Sequence, residues 1–262
     1  MAASCYRYIP KGVQQNNKID TSQTSRYSMI TVHHLDHSQS FRIVWLLEEL
    51  KAKGKNVDYE LKLYKRENGM MAPPDYKAIS PLGTSPTVTT SDGLVLSESN
   101  AIIEYILDVA DPDGSSLLRP KATSPDRNSF LFWFHSVQGS MQPMLTVDII
   151  FRRASKKAPF PISSIFGIVS SKVRDAVIMP RLNKVLELAE RDVQKSPFLA
   201  GDNLTAADIS AVYPFYSLFS RNPELAEKYP ACKQWLTKIS SLPSFQAAQE
   251  KVGEDDIVFT DE

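Results

Sequence analysis

The residue types that could do chemistry cluster first in one short stretch, which carries three histidines and an aspartate: His33, His34, Asp36 and His37. Imidazole and carboxylate groups bind metal ions or transfer protons. His33 and His34 are neighbours in a stretch that alternates like a strand, so their side chains should point to opposite faces of a sheet. Because they would not converge on one ion, we expect no metal site here.

A second stretch combines prolines, hydroxyl groups and one acid. Residues 76–88 read YKAISPLGTSPTV, and residues 97–100 (SESN) follow at a predicted helix start. Ser97 or Ser99 could cap that helix, and Glu98 would favour its first turn. By itself the SESN segment is therefore explained by helix capping.

The elements that must position these residues begin as a βαβ unit. Residues 30–34 alternate between apolar and polar, residues 43–50 repeat at helical spacing, and residues 57–63 alternate again. Two strands joined through a helix are expected to be parallel. Residues 87–96 then show a hairpin pattern around Ser-Asp-Gly, and a helix follows over 102–109. This order predicts a small mixed sheet, much like the thioredoxin arrangement.

The rest of the chain is predicted to be helical, because no convincing strand follows the loop-type composition of residues 111–125. Apolar stripes recur at helical spacing over residues 130–137, 182–193, 209–216 and 235–242. The predicted fold class is therefore α+β, in three parts. Residues 1–28 form a flexible extension, 29–112 a thioredoxin-like βαβ-ββα domain, and 123–255 an all-helical domain.

The overall composition excludes several classes of protein. Thirty Lys and Arg residues balance thirty Asp and Glu residues, so no basic surplus favours nucleic acid as a partner. The chain is 42% hydrophobic, typical of a globular protein, yet contains no apolar run long enough to span a membrane. Its two cysteines, Cys5 and Cys232, lie far apart, which favours a reducing, cytoplasmic location.

The segment 76–88 followed by SESN strongly resembles glutathione transferases. The stretch LDHS at residues 35–38, the APP at 72–74 and the FPIS at 160–163 are most similar to the fungal GTT-type members of that family. The resemblance spans nearly everything from Met29 onward. It implies a glutathione-binding thioredoxin-like domain, glutathione as co-substrate with no metal, and a homodimer.

The resemblance also implies where glutathione would bind. In the family the peptide bond before Pro86 is cis, which leaves the main-chain N–H and C=O of Ser85 available for the cysteinyl part of glutathione. Glu98 would bind the ammonium of the γ-glutamyl end. The Ser99 hydroxyl and the N–H groups at the helix start would receive its carboxylate.

The thiol-activating group is expected in the loop after the first strand. Ser38 occupies the position of the catalytic serine of theta- and delta-like members, where its hydroxyl could donate to the thiolate. His34 stands where other classes carry a catalytic tyrosine, so a tyrosine mechanism is not expected. His37 or Gln39 could share the activating role, and Gln39 is also a candidate contact for glutathione.

Two further sets of candidates follow from the resemblance. Lys65, with basic neighbours at the end of the second strand, lies where transferases often bind the glycyl carboxylate, although such a group is as often solvated surface. His135 and Trp133 could line a hydrophobic second-substrate site. Trp133 belongs to an apolar stripe with Phe130 and Phe134, which is more often core.

A third motif has a structural interpretation. The segment from Thr205 to Asp208 matches the family's helix-capping box, in which each of the two side chains accepts a main-chain N–H. We expect it to stabilise a helix of the second domain and to take no part in catalysis.

The predicted function is conjugation of glutathione to a hydrophobic electrophile, with reduction of organic hydroperoxides as a second possible activity. Two alternatives stay open. One is a thiol–disulfide oxidoreductase that uses bound glutathione, since the chain has no Cys-x-x-Cys of its own. The other is a binding protein that keeps the transferase fold without catalysis.

Overall fold

The structure is a computed structural model that describes residues 28–67, 71–80 and 82–253. The predicted extension, residues 1–28, lies outside the described residues except for its last position. The chain divides into two compact units. The first contains the described residues up to Ser116 and those from Leu242 onward, and the second is Leu117–Ser241.

The first unit is built on a four-stranded sheet in the order β2-β1-β3-β4. Strands β1 and β2 are parallel and β3 and β4 form an antiparallel hairpin, as predicted. The structure adds an antiparallel pairing of β1 with β3. The strands are β1 (Ile30–Leu35), β2 (Tyr59–Tyr64), β3 (Thr87–Thr90) and β4 (Val95–Ser97). The two helices of the predicted βαβ-ββα order are α1 (Phe41–Ala52) and α3 (Ser99–Ala110), and a further short helix, α2 (Pro74–Ile79), lies between β2 and β3, where the sequence predicted no helix. The predicted thioredoxin-like arrangement is confirmed.

Helix α1 lies at the centre of this unit and is buried on nearly every side. Its apolar residues from Phe41 to Leu50 are fully buried, but so are the charged side chain of Arg42 and most of Glu49. A buried charge is costly unless polar partners surround it. These two residues therefore mark places where α1 makes specific polar contacts.

The second unit is helical, as predicted. Its helices are α4 (Arg127–Ser136), α5 (Gln142–Lys157), α6 (Ile162–Val173), α7 (Met179–Lys195), α8 (Ala206–Arg221), α9 (Glu224–Lys228) and α10 (Pro230–Ser240). Short π-helical turns, Val137–Met141 and Arg174–Ile178, connect α4 to α5 and α6 to α7. Among the described residues, no helix is both long and apolar enough to cross a membrane.

The predicted capping box is present at the start of α8. The Thr205 hydroxyl accepts the N–H of Ala207, and Asp208 accepts the N–H of Thr205 at 3.0 Å. The buried Asp208 carboxylate also accepts from the N–H of Leu199 at 2.9 Å and from Nε1 of Trp235 at 3.0 Å. One carboxylate therefore joins the start of α8 to the preceding loop and to α10.

The last described helix belongs to a different unit from the one predicted, because the sequence analysis placed residues 123–255 in the helical domain. Helix α11 (Pro243–Val252) belongs to the first unit, where it packs on α1. The ring of Phe245 lies edge-on to those of Phe41 and Trp45, with centroids 5.0 and 5.1 Å apart. The Ser244 hydroxyl accepts from Trp45 Nε1 at 3.2 Å and donates to Glu49. The polar contacts of Glu49 thus explain one of the two buried charges of α1.

We predict that Phe245→Ala lowers the free energy of unfolding by about 3–5 kcal/mol, because it leaves a cavity between α11 and α1. Phe245 is 1% exposed. The neighbouring Gln246 is exposed, so Gln246→Ala serves as the matched control and should change stability by less than about 0.5 kcal/mol. Urea denaturation followed by circular dichroism measures both, and equal stabilities would contradict the packing described for α11.

Candidate active site

The loop between β1 and α1 is held in place by Arg66, which follows β2. Its N–H donates to Asp36 Oδ1 at 2.7 Å, and its guanidinium donates to the carbonyl oxygens of Asp36 at 2.8 Å and His37 at 3.3 Å. His37 has a φ of 50°, a left-handed conformation that non-glycine residues seldom adopt. The contacts from Arg66 stabilise this turn, which brings Ser38 to the start of α1.

Ser38 and Ser85, which are 47 positions apart in the sequence, meet at this loop. Their hydroxyl oxygens are 2.8 Å apart. Ser38 is 4% exposed, and its hydroxyl donates to the carbonyl oxygen of Leu35 at 2.6 Å. It also lies 2.7 Å from the hydroxyl of Ser40. The predicted activating residue is therefore adjacent to the predicted cysteinyl-binding residue.

The main chain of Ser85 is available for a ligand. The Ser85–Pro86 peptide bond is cis, as the resemblance implied, and the ladder between β3 and β4 begins only at Thr87. No described residue pairs with the main-chain N–H or C=O of Ser85. Ser80 braces the segment before it, because its hydroxyl donates to the carbonyl of Thr84 at 3.0 Å and accepts from its N–H at 3.2 Å. The segment thus offers a donor and an acceptor on a supported backbone.

The start of α3 is arranged differently from a capped helix. Neither serine of the SESN segment caps it: the N-cap position is Glu98, which makes no side-chain cap bond and has a φ of 76°. Glu98 is exposed, whereas Ser99 is buried. The capping interpretation is therefore wrong for Ser97 and Ser99, which leaves the Ser99 hydroxyl to other partners.

Those partners come from a buried arginine that the sequence analysis did not single out. Arg42 is 0% exposed, and its guanidinium donates to the hydroxyl of Ser99 at 2.9 Å and to the side-chain oxygen of Gln39. The Ser99 hydroxyl lies 3.4 Å from that same oxygen of Gln39. The cluster places a positive charge beneath the N-terminus of α3, where N–H groups already favour an anion. A charged residue within the apolar run FRIVWLL of α1 was the signal that could have revealed it.

The histidines lie on opposite faces of β1, as the alternating pattern predicted. The ring nitrogens of His33 contact the Tyr64 hydroxyl at 3.1 Å and the Thr89 hydroxyl at 3.0 Å, whereas Nδ1 of His34 contacts the Ser40 hydroxyl at 2.9 Å. Within the described ranges, no three His, Cys, Asp or Glu side chains are grouped as metal ligands. Burial, with a smaller contribution from Lys62, lowers the pKa of His33 from 6.5 to about 4.

The remaining candidate site residues differ in their exposure to solvent. Lys65 is exposed at the end of β2, so its predicted role toward the glycyl carboxylate stays a prediction. Trp133 is fully buried, and its Nε1 donates to Asp192 Oδ2 at 3.1 Å. Trp133 therefore offers no surface to a second substrate, and the core interpretation of its stripe is correct. His135 is exposed and stays a candidate.

Comparison with known protein families identifies this arrangement. Residues 38–109 match the family described as Glutathione S-transferase, N-terminal domain, and residues 160–243 match Glutathione S-transferase, C-terminal domain. The chain belongs to the glutathione S-transferase family. The first matched range contains the cluster around Ser38, Ser85 and Ser99.

Several individual relatives support this assignment. Glutathione S-transferase 1 of Saccharomyces cerevisiae is 34% identical, over 85% of this chain and 95% of the relative. Glutathione S-transferase 3 of Schizosaccharomyces pombe is 30% identical, over 89% and 92%. A protein named disulfide-bond oxidoreductase YfcG, from Escherichia coli, is 28% identical, over 82% and 92%. The similarity to fungal transferases expected from the sequence is confirmed.

Solved structures agree with the fold. The crystal structure of a glutathione S-transferase from Actinobacillus pleuropneumoniae has a TM-score of 0.68 and 28% identity, covering 89% of this chain and 98% of that chain. A glutathione transferase homologue from Sulfitobacter, solved with bound glutathione, has a TM-score of 0.64 and 18% identity, covering 86% and 98%. At 18% identity, the similarity to the Sulfitobacter structure supports the fold assignment only.

We predict that the stability of the protein falls between pH 6.5 and pH 4 because His33 must become charged in a buried position. The folded-state pKa lies below the unfolded value, so the unfolded state binds more protons in this window, and up to about 3 kcal/mol is lost as the pH falls. His33→Gln should remove that part of the slope, whereas His135→Gln, at an exposed site, should keep it. Urea denaturation at several pH values measures the difference, and parallel slopes for wild type and His33→Gln would refute the assignment.

Proposed function

We propose that this chain binds glutathione in its first unit, ionises the thiol, and conjugates it to a hydrophobic electrophile. The observation that supports this function is the juxtaposition of Ser38 with Ser85. One residue offers a hydroxyl, and the other offers an unpaired main-chain N–H and C=O among the described residues. An extended cysteinyl group pairing with Ser85 would bring its sulfur near the Ser38 hydroxyl.

Ionisation is the chemical task of this pair. A thiol with a pKa near 8.5 is only a few per cent thiolate at pH 7, and the thiolate is the nucleophile. A hydrogen bond from Ser38 to the sulfur stabilises the anion, and the positive end of α1 adds to this effect. The thiol proton passes to solvent. The sulfur then forms a bond to the electrophilic carbon, while the leaving group departs with the electron pair of its own bond.

The γ-glutamyl end would bind at the start of α3. The exposed carboxylate of Glu98 suits the ammonium group, and Ser99 with the first N–H groups of α3 suits the carboxylate. Arg42 contributes a buried positive charge beneath this position and orients Ser99 and Gln39. Since Arg42 is buried, its role here is to position these side chains rather than to touch the ligand.

The rest of the proposal follows family membership. We infer that the electrophile is a small hydrophobic molecule bound by the helical unit, with His135 as a candidate contact, and that the chain works as a homodimer in the cytoplasm. We infer no metal cofactor. Organic hydroperoxides are alternative substrates of the same thiolate. The thiolate would attack the terminal peroxide oxygen and break the O–O bond, the alkoxide would take up a proton and leave as an alcohol, and a second glutathione would convert the resulting sulfenic acid to oxidised glutathione and water.

A second function, disulfide reduction, is favoured by the similarity to the E. coli disulfide-bond oxidoreductase. In this reaction the glutathione thiolate attacks a disulfide sulfur and releases one thiolate, and a second glutathione resolves the mixed disulfide to oxidised glutathione. The chain's own Cys232 is buried, and burial raises the pKa of its thiol, which makes it a poor nucleophile. Cys5 lies outside the described residues, and the sequence has no Cys-x-x-Cys, so we infer that both reducing thiols come from glutathione.

One set of assays separates these functions. Binding is measured by retention on immobilised glutathione and by calorimetry, and turnover is measured with 1-chloro-2,4-dinitrobenzene, cumene hydroperoxide and 2-hydroxyethyl disulfide. Conjugation supports the first proposal, and disulfide turnover alone supports the second. Binding without any turnover would favour a non-catalytic transferase-like protein, and absence of binding would overturn the glutathione site.

We predict that Ser38→Ala lowers kcat/KM for conjugation by about 10- to 100-fold, the equivalent of one hydrogen bond to a charged group. The affinity for S-methylglutathione, which has no thiol to ionise, should change little. Ser217→Ala is the matched control, because it removes the hydroxyl of a buried serine that lies in α8 of the second unit. Undiminished conjugation by Ser38→Ala would show that another group activates the thiol.

A further inference from the structure

We propose that His34 and Ser40 are positioning residues that direct the Ser38 hydroxyl toward the glutathione thiolate. This inference rests on the proposed function, because it specifies how the same site would activate the thiol. It assigns roles to two buried side chains, one on β1 and one immediately before α1.

The observation behind it is a continuous row of polar atoms. Nδ1 of His34 lies 2.9 Å from the Ser40 hydroxyl, which lies 2.7 Å from the Ser38 hydroxyl, which lies 2.8 Å from that of Ser85. His34, Ser40 and Ser38 are all buried. In a buried row each hydroxyl has one proton to give, so the direction of one bond constrains the next.

In the ligand-free arrangement the Ser38 proton is already committed. The Leu35 carbonyl oxygen lies 2.6 Å from the Ser38 hydroxyl, and a carbonyl can only accept. The N–H of Ser40 points to the Ser38 oxygen at 3.3 Å. Ser38 therefore gives its proton to Leu35 and cannot give it to a sulfur at the same time.

Ser40 offers the means of releasing that proton. Its hydroxyl lies 3.4 Å from the same Leu35 oxygen and 2.7 Å from the Ser38 oxygen, so it can donate to either. When Ser40 donates its proton to the Leu35 oxygen, the Ser38 hydroxyl can turn toward a thiolate without leaving that buried carbonyl unsatisfied. Glutathione binding beside Ser85 would provide the anion that makes this rotation favourable.

The tautomer of His34 determines whether the Ser40 hydroxyl can donate its proton toward Leu35 and Ser38. If Nδ1 accepts, the Ser40 hydroxyl donates its proton to His34 and has none left for the Leu35 carbonyl or for Ser38. If Nδ1 carries hydrogen, it donates to the Ser40 hydroxyl. The Ser40 proton can then go to the Leu35 carbonyl, which releases the Ser38 proton for the sulfur. The geometry therefore points to a His34 that carries its proton on Nδ1 in the glutathione complex.

Three variants test this arrangement. Ser40→Ala removes the middle hydroxyl, His34→Leu removes the donor at similar volume, and His34→Asn keeps an N–H that can donate to Ser40. The main readout is the ultraviolet absorbance of bound glutathione thiolate as a function of pH. We expect Ser40→Ala and His34→Leu to raise the pKa of the bound thiol by about one unit and to lower kcat/KM about tenfold at pH 6.5. His34→Asn should stay close to wild type.

A double-mutant cycle separates positioning from general damage to the fold. In a Ser38→Ala background, Ser40→Ala and His34→Leu should cause no further loss of kcat/KM, because they act through a hydroxyl that is absent. Ser210→Ala, another fully buried serine, is the control and should leave the thiol pKa unchanged in either background. Additive losses would overturn the inference, as would equal effects of His34→Asn and His34→Leu.

The failure of this inference is distinguishable from failure of the proposed function. A wild-type protein that binds no glutathione refutes both. A wild-type protein that binds glutathione and ionises it, with a thiol pKa that is unmoved in folded Ser40→Ala and His34→Leu, refutes the positioning role alone. If one of these variants does not fold, as judged by circular dichroism, the other completes the cycle with Ser38→Ala.

Discussion

The central position of β1 is the constraint on which the site depends. This strand is paired along both edges, with β2 on one side and β3 on the other, and almost all of its residues are buried. Its alternating side chains therefore serve two faces of the sheet: His33 contacts neighbouring strands, and His34 contacts the start of α1. Because β3 is next to β1, Ser85 at the entry to β3 comes close to the loop that leaves β1.

This arrangement buries several polar side chains close to one another. Ser38, Ser40, Ser99 and the Arg42 guanidinium are all removed from water within the first unit. Each would destabilise the fold if it lacked partners, so the groups satisfy one another through short side-chain bonds. Such mutual dependence fixes side-chain geometry closely, which is what binding and orienting a small ligand requires.

Local patterns were sufficient to predict much of the fold. Alternation and helical spacing identified the βαβ-ββα order, and the Thr205 to Asp208 box identified the start of α8, because these features are set by residues close in sequence. The resemblance identified the cis bond before Pro86. The positions of Ser38 and Ser85 in one loop cluster also agreed with expectation, although their chemical roles stay predictions.

What could not be predicted depends on distant partners. The pattern of α11 shows an apolar face but not that this face packs on α1. The partners of Arg42 and Arg66 could not be predicted, because nothing in the neighbouring sequence indicates that Arg42 contacts Ser99 or that Arg66 holds the turn at His37. Trp133 was considered for two roles, and only its burial decided between them.

The docking of α11 on α1 also bears on the order in which the chain can fold during synthesis. The hydrogen bond between Trp45 and Ser244 joins residues 199 positions apart, so the first unit contains contacts that span nearly the whole chain. Although the strands of the sheet emerge early from a ribosome, α1 cannot pack against α11 until α11 has been made. The helical unit is, in terms of connectivity, an insertion within the first unit. Part of α1 therefore stays exposed until α11 has been synthesised, and its apolar residues can bind a chaperone during that time.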